Sequence, residues 1–553
     1  MYRGIFRLAI FAIVVIGALL VRGPVMVMVA SAVPPSPTTD VTVRAPLWPL
    51  PSPVARVRRH IVPHRRLPAG PYYAVLMVLD GARPDYFSVS GIPHIRALMH
   101  RGTVFSNAFD GILESETPVG HATIGTGSLP RHNGIIAFGW PDLNDRWISV
   151  FNTQAIQSHV LENLMSHTPT LAGQLHRHDR SAVVAAVGSY KYYANDALGG
   201  PDSNITMYYS SQSNGTYAPV AVQGHEPPPA LLHDKDLILK SSRNLALGVN
   251  DHYAMKLATD TFVRTRARVI MLNVPEFDWP LGHVDGANRD PRVVRTLMQG
   301  YDHDLGTLED AYRKAGVLSR TIFVITADHG FAAFDHQLPT SVFTDAVEKA
   351  GLTVTHADYH SGVYLWVNDP TRANLAAASL SALQNPGIQA VYFKEEIPGG
   401  YNYVRATGPG LFDVPKMEQA NQMLLQSFAD ANSPDIVVAL REGYVGTAGG
   451  QQSWKGDHGG LDWESQHIPL IMAGPGIRRG VVTGYPARLI DLAPTLLTLL
   501  GASYTGMDGT PLAAALSNPP YAARDVAATL GPRLYQTVNA LRAEARAERA
   551  AGG

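Results

Sequence analysis

The sequence predicts an α/β protein with a mostly parallel central sheet and helices on both faces. Two observations carry that expectation. The stretches "YYAVLMVLDG", "SAVVAAVG", "ARVIMLNV", "RTIFVITADHG" and "HIPLIMAGPGI" are continuously apolar rather than alternating, the pattern of strands buried on both faces. Between them lie helix-like segments, Ile92 to Arg101, Asp251 to Arg266 and Val293 to Ala315, which supply the β-α-β rhythm of crossover connections. A third observation, the extra material between Ala327 and Ile468, predicts an inserted α+β subdomain.

Taken in order, residues 1–32 begin with Arg3 and Arg7, run apolar from Leu8 to Val21 and end in a small-residue "ASA" at Ala30 to Ala32. That pattern reads as an export signal, with an uncleaved membrane anchor through residues 8–32 as the rival because Arg22 divides a long segment. Either reading places the rest of the chain outside the cytoplasm, periplasmic, extracellular or anchored facing outward. Residues 33–70 are rich in Pro and Arg, without apolar period, and read as a linker. The α/β domain is expected over 71–340, the insert over 341–433, a return to the main sheet over 434–530 near "SPDIVVALREG", and a C-terminal helix or tail over 531–553.

Composition removes several classes of function. Lys plus Arg, 45, nearly balances Asp plus Glu, 46, so overall charge gives no nucleic-acid-binding surface. The chain has 0 cysteines, which excludes disulfides, thiolate metal sites and a cysteine nucleophile. Oligomeric state leaves no mark in the sequence.

Ligands of open parallel sheets gather at the carboxyl ends of strands. Asp80 ends the first apolar run; Asp278 and His283 follow "VIMLNV"; Asp328 and His329 end "FVITADHG"; His458 lies in "KGDHGG". Asp-His occurs 5 times in the chain, so the dipeptide itself says nothing, and strand-end context singles out Asp328 and His329. Carboxylates so close repel one another unless a cation neutralises them. Two divalent metal ions do so, and mixed Asp/His ligation without thiolate suits Zn2+ best, ahead of manganese, iron or calcium. Beside them lies "SETPVGHATIGTG", where Thr117 precedes a helix-starting proline. Its hydroxyl is either a helix cap or a nucleophile set where amides and the helix dipole favour an anion.

The stretches "LDGARPD", "TPVGHATIGTGSLPRHNGI", "DWPLGH", "ADHG", "GDHGG" and "IDLAPTLLTLLG" with "MDGTPL" resemble, in order, the alkaline phosphatase superfamily, most closely its type I phosphodiesterase/nucleotide pyrophosphatase branch. The resemblance spans Val75 to about Leu512. It implies the alkaline-phosphatase-like fold, one zinc on Asp80, Thr117, Asp328 and His329, another on Asp278, His283 and His458, and a phosphothreonine intermediate on Thr117. A small phosphate ester is the implied substrate.

Three departures stand out. The family spaces its Asp and His four apart, whereas Asp278 and His283 are five apart, which brings in Glu276 or a one-residue bulge. The asparagine usual shortly after "HGI" is replaced by Ala137 and Phe138. The Lys and Arg, two apart, of the monoesterase branch become Lys191 and Tyr193, and Lys191 is the candidate phosphate contact. One lysine without its arginine leans toward a phosphodiester. The alternatives are a phosphomonoesterase on the same site, an envelope phosphotransferase and a non-catalytic metal- or phosphate-binding protein. Related sulfatases use a modified Cys or Ser, and position 117 is Thr. His121 is read as supporting the nucleophile helix, His336, His360 and His467 as structural, and Tyr359, Tyr364, Tyr392 and Tyr401 of the insert as a candidate cleft wall.

Overall fold

The structure is a computed structural model that describes residues 72–151, 159–241, 245–286, 290–406, 416–449, 451 and 453–552. The expected export segment and the linker lie outside these residues. No helix among the described residues is long and apolar enough to cross a membrane.

Seven strands of the main sheet come first along the chain: β1 (Tyr73–Leu79), β2 (Gly102–Phe105), β3 (Val184–Gly188), β4 (Ile205–Ser211), β5 (Tyr217–Ala221), β6 (Val269–Val274) and β7 (Thr321–Thr326). Next come β8 (Val354–Tyr359), β9 (Gly362–Val367), β10 (Ile388–Ile397), β11 (Gly400–Arg405) and β12 (Ile436–Leu440), and finally β13 (Leu470–Ala473) and β14 (Val481–Thr483). The main sheet has nine strands in the order β14-β2-β13-β7-β1-β6-β3-β4-β5. Strands β7, β1, β6, β3 and β4 are mutually parallel. Only β13 and the edge strand β5 run against their neighbours, which gives the mostly parallel sheet that the sequence predicts.

The continuous apolar runs are buried as expected: every residue of β6 and β7 is buried, and β1 is buried from Ala74 onward. Helices α1 (Pro93–Arg101), α2 (Thr117–Thr126), α3 (Tyr192–Gly199), α4 (Val249–Thr265) and α5 (Pro291–Lys314) pack with these strands and with each other. In α5, buried Val294, Leu297, Met298, Tyr301, Leu305 and Leu308 recur at three- and four-residue steps, so one stripe faces the core. Asp290 caps its start by accepting from the Arg292 amide, and Pro291 occupies its first turn.

The expected boundary of the insert at 433 needs correction. Strand β12 does not return to the main sheet; it sits at the centre of a second, five-stranded antiparallel sheet, order β8-β9-β12-β10-β11. A short apolar run such as "IVVAL" is equally suited to the middle of either sheet, and periodicity carries no information about its partner. The C-terminal helix is also longer than expected: α6 spans Tyr521–Gly552 and buries Leu534, Val538 and Leu541 against the helix Met417–Gln426.

Candidate active site

Four adjacent parallel strands deliver the site. In sheet order, β7 is followed by Asp328 and His329, β1 by Asp80, β6 by Asp278, and β3 by Lys191. Helix α2 lies across these ends and brings Thr117. The helix is made of small residues because it has no free side: all ten are buried. A Cβ on Gly120 would lie 2.2 Å from the Asp328 carbonyl oxygen, and one on Gly125 would lie 2.4 Å from that of Leu198. Those glycines let the helix press onto the β7 loop and α3.

Helix α2 starts at Thr117 itself, with Glu116 at the cap position and no side-chain cap bond. The Thr117 hydroxyl points instead into the cluster, 3.4 Å from Asp80 Oδ1 and 3.4 Å from His329 Nε2. The five-residue step from Asp278 to His283 is absorbed by a π-helical turn, Phe277–Gly282, in which the His283 amide donates back to the Asp278 carbonyl. A π turn holds one extra residue, so the two side chains return to one face. His283 Nε2 lies 3.1 Å from Asp278 Oδ1. Glu276 stays out of the site: its carboxylate accepts from the Gly248 amide at 2.5 Å and Asn250 Nδ2 at 3.0 Å. The antiparallel pairing of Gly456 and Asp457 with Ala332 and Ala333 sets His458 over His329, with the rings stacked 4.0 Å apart.

All three histidines are oriented in the same way. Nδ1 donates to a backbone carbonyl in each: His283 to Gly456 at 3.1 Å, His329 to Gly330 at 2.9 Å, His458 to Ser115 at 3.0 Å. A carbonyl only accepts, so the Nδ1 proton is fixed and Nε2 is turned toward the carboxylates, the arrangement of metal-ligating imidazoles. Three buried groups have ligand atoms within 4.8 Å of one another: Asp278 with His283 and His458, Asp80 with Asp278 and His329, and Asp80 with His121 and Asp328. Asp278 Oδ1 and Asp328 Oδ2 are buried and accept no hydrogen bond, although a histidine nitrogen lies 3.1 Å from each. His283 Nε2, whose Nδ1 proton is already committed, and Asp278 Oδ1 have the spacing of neighbouring ligands of one cation, whereas His121 Nδ1 is engaged by the Thr117 carbonyl. The donor set therefore fits divalent metal.

Lys191 is buried at the centre of the cluster. Its Nζ donates to Asp278 Oδ2 at 2.5 Å, Asp80 Oδ1 at 2.8 Å and Thr117 Oγ1 at 3.3 Å. Burial works against its ammonium, but Asp278 and Asp80 outweigh it and hold the pKa well above the usual lysine range. The same contest lifts His329 to about 10, with Asp328 and Asp80 overcoming desolvation. His458 goes the other way, driven well below the ordinary value by burial and by the charge of His329. Asp328 is held at about 2, desolvation being overcome by His329 and His121.

Sequence reasoning missed Asn273, which donates to Asp80 Oδ2 at 2.8 Å and lies 3.0 Å from His121 Nε2. It is the inward-facing asparagine of an otherwise apolar strand, and that exception was the available signal. His121 braces helix α2: Nδ1 donates to the Thr117 carbonyl at 2.7 Å and lies 3.1 Å from Asp328. The tyrosines expected to wall the cleft are corrected in part, because Tyr364 and Tyr392 are fully buried in the core. The aromatic side chains packed around Tyr193, two residues after Lys191, are Phe138, Phe151 and Tyr192. His336 stacks on Tyr444 and His467 on Trp463, both away from the cluster.

The chain is similar to known proteins in sequence and in fold. The chain is 23% identical over 495 residues to alkaline phosphatase PhoK of a Sphingomonas species, covering 73% of this chain and 83% of PhoK. Its fold matches alkaline phosphatase PafA with a TM-score of 0.63 at 16% identity, over 81% of this chain and 100% of PafA. It also matches murine ectonucleotide pyrophosphatase/phosphodiesterase 5 with a TM-score of 0.55 at 17% identity, over 79% of this chain and 97% of that one. At those identities the structural matches speak for the fold alone. The type I phosphodiesterase/nucleotide pyrophosphatase family model covers residues 74–461, with helix α2 and His458 included and β13 and β14 beyond it. The chain belongs to that family, within the alkaline phosphatase superfamily, and is a phosphate-ester hydrolase.

Proposed function

We propose that the enzyme cleaves phosphodiesters through a phosphothreonine on Thr117, supported by two divalent ions, Zn2+ foremost. The observation that carries this is the Thr117 hydroxyl, buried at a helix start, engaged by no cap, and set among Asp80, His329 and Lys191. Asp80, Asp328, His329 and Thr117 would hold one ion, and Asp278, His283 and His458 the other. When bound, the zinc pair supplies Lewis-acid charge that lowers the threonine pKa and offsets charge on the phosphoryl oxygens.

The chain's own part follows from its geometry. Thr117 Oγ1 attacks phosphorus, the bond to the leaving alcohol breaks, and the alcohol departs with a proton. Free amides at the start of α2 face the phosphoryl oxygens. Lys191 stays cationic and is close enough to Thr117 to bond an oxygen of the group that Thr117 receives. Water then cleaves the threonine–phosphorus bond, Thr117 recovers its proton, and a phosphate monoester leaves.

The diester reading rests on Phe138 and Tyr193, which occupy the places of the superfamily's phosphate-binding asparagine and arginine and pack against each other. The murine relative, in an inactive threonine-to-alanine form, was crystallised with AMP, a product expected of nucleotide diester cleavage. A monoesterase reading is favoured by Lys191 beside Thr117 and by the PhoK relationship. Export is supported by the basic, apolar and small-residue order of residues 1–32. The deciding experiment measures kcat/KM for bis(4-nitrophenyl) phosphate and 4-nitrophenyl phosphate on the zinc-loaded enzyme, with Thr117→Ala beside it. Preference for the diester, lost in Thr117→Ala, is expected. Preference for the monoester would transfer the conclusion to the second reading, and turnover retained by Thr117→Ala would overturn the nucleophile.

A further inference from the structure

Behind the nucleophile lies a second, separate set of acidic and imidazole groups. Glu116 precedes Thr117 at the cap of α2, Asp358 belongs to β8 of the second sheet, and His360 follows it. Their ligand atoms lie within 4.8 Å of one another. His360 Nε2 is 2.8 Å from Glu116 Oε1 and 3.0 Å from Asp358 Oδ1. Ligands at right angles about an ion with bonds of about 2.1 Å sit about 3 Å apart, which matches both separations.

Two further observations separate this set from an ordinary acidic cluster. Glu116 Oε1 accepts no hydrogen bond despite the nearby nitrogen, as Asp278 Oδ1 and Asp328 Oδ2 do not. Glu114, fully buried, also has both oxygens without a hydrogen bond, and burial, reinforced by Glu116 and Asp358, pushes its carboxyl well above the usual carboxylate range. A buried carboxylate without donors is costly. His360 is also oriented as the catalytic histidines are: Nδ1 is committed, here to Asp457 at 3.2 Å, and Nε2 is presented to the carboxylates.

We propose that Glu116, Asp358 and His360, with Glu114 beside them, bind a third divalent cation that ties the second sheet to the start of the nucleophile helix. Three carboxylates and one imidazole suit a first-row ion such as Mn2+ or Zn2+. The ion lies outside the reacting centre. It fixes the cap of α2, and thereby where Thr117 stands, by bridging α2 to β8.

The test counts metal. The full chain is stripped with chelator, equilibrated with excess Zn2+ or Mn2+, desalted, and assayed by elemental analysis, alongside Asp358→Asn and Glu114→Gln. Three ions per wild-type chain and two in each variant are expected. Two in the wild type would overturn this proposal and leave the two-ion active site standing, whereas none would overturn both. Three ions retained in Asp358→Asn would also overturn it. Because a variant that misfolds loses every ion, anomalous scattering from wild-type crystals soaked in Mn2+ provides a second reading. A peak between Glu116 and Asp358 is expected, and its absence at full occupancy of the other sites would reject the site.

Discussion

The rings of Phe138 and Tyr193 pack edge to face with centroids 5.2 Å apart, beside the Lys191 ammonium that reaches Thr117. By sequence position this pair stands where the resembling monoesterase branch carries an asparagine and an arginine, and on the proposed reading it withholds the charge that a monoester's additional negative oxygen needs. Phe138→Asn combined with Tyr193→Arg is expected to raise the monoester-to-diester ratio of kcat/KM at least about tenfold, the size of one or two recovered charged hydrogen bonds. Steady-state kinetics on the two nitrophenyl substrates give the ratio; an unchanged ratio removes these rings from specificity.

Thr117→Ala removes the hydroxyl proposed to attack, without adding bulk. Loss of kcat by about a thousandfold or more is expected, as for other covalent nucleophiles. Thr117→Ser should recover a large part of it. Equal activity of the Ala and Ser forms would show that water attacks directly.

Gly120→Ala tests how closely α2 presses on β7. The new methyl meets the Asp328 carbonyl at 2.2 Å, backbone that cannot swing aside. We expect destabilisation of about 1–3 kcal/mol, the range for overpacking, together with weaker metal retention because Asp328 moves. Thermal unfolding and metal content read both effects. A variant with unchanged melting and metal would mean that the helix yields.

Metal removal should lower stability as well as activity. Ions that bind only the folded state stabilise it by about 2.7 kcal/mol at a hundredfold excess over Kd. Chelation leaves Asp80, Asp278 and Asp328 to Lys191 and the histidines alone. The melting temperature is expected to fall by several degrees and to recover on adding Zn2+. Chelator-insensitive melting would argue against ions held by these carboxylates.

The C-terminal helix offers a pH test far from the catalytic cluster. Burial, with Asp462 and Glu464 nearby, lifts Glu442 to about 8, and burial lifts Glu548 on α6 to about 7. Both values exceed the unfolded carboxyl near 4.5, so folding favours the protonated forms. Their stabilisation is complete below about 4.5 and is lost as pH rises through about 7 and 8. Amide exchange along α6 should accelerate from pH 6 to 9 beyond the intrinsic chemical rate, and Glu442→Gln should flatten that rise. An equal rise in the variant would refute the assignment.

Much of this arrangement was legible in the sequence, and the exceptions have physical causes. The buried strands β1, β3, β6 and β7 announced themselves as unbroken apolar runs, and their last residues led directly to Asp80, Asp278 and Asp328. The edge pair β4 and β5 did not, because "ITMYYSS" and "YAPVA" are partly exposed and mixed. Strand β12 was visible as a strand but not as a member of the second sheet, since pairing partners leave no trace in periodicity. Glu116, Asp358 and His360 went unread together. Two come from the second sheet and one from α2, and no local spacing joins residues that only the tertiary fold brings together.

The π turn between Asp278 and His283 matters beyond the spacing it absorbs. It is one of several places where ligands are supplied from distant parts of the chain: Asp80 follows the first strand, while His458 arrives only after the entire second sheet has been made. A nascent chain that has emerged past His329 already carries Thr117, Lys191, Asp278 and Asp328, yet lacks His458, the last residue of the proposed set. On the proposed ligand assignment, synthesis that stops upstream of His458 therefore leaves the set incomplete, and such a truncated chain is expected to be inactive.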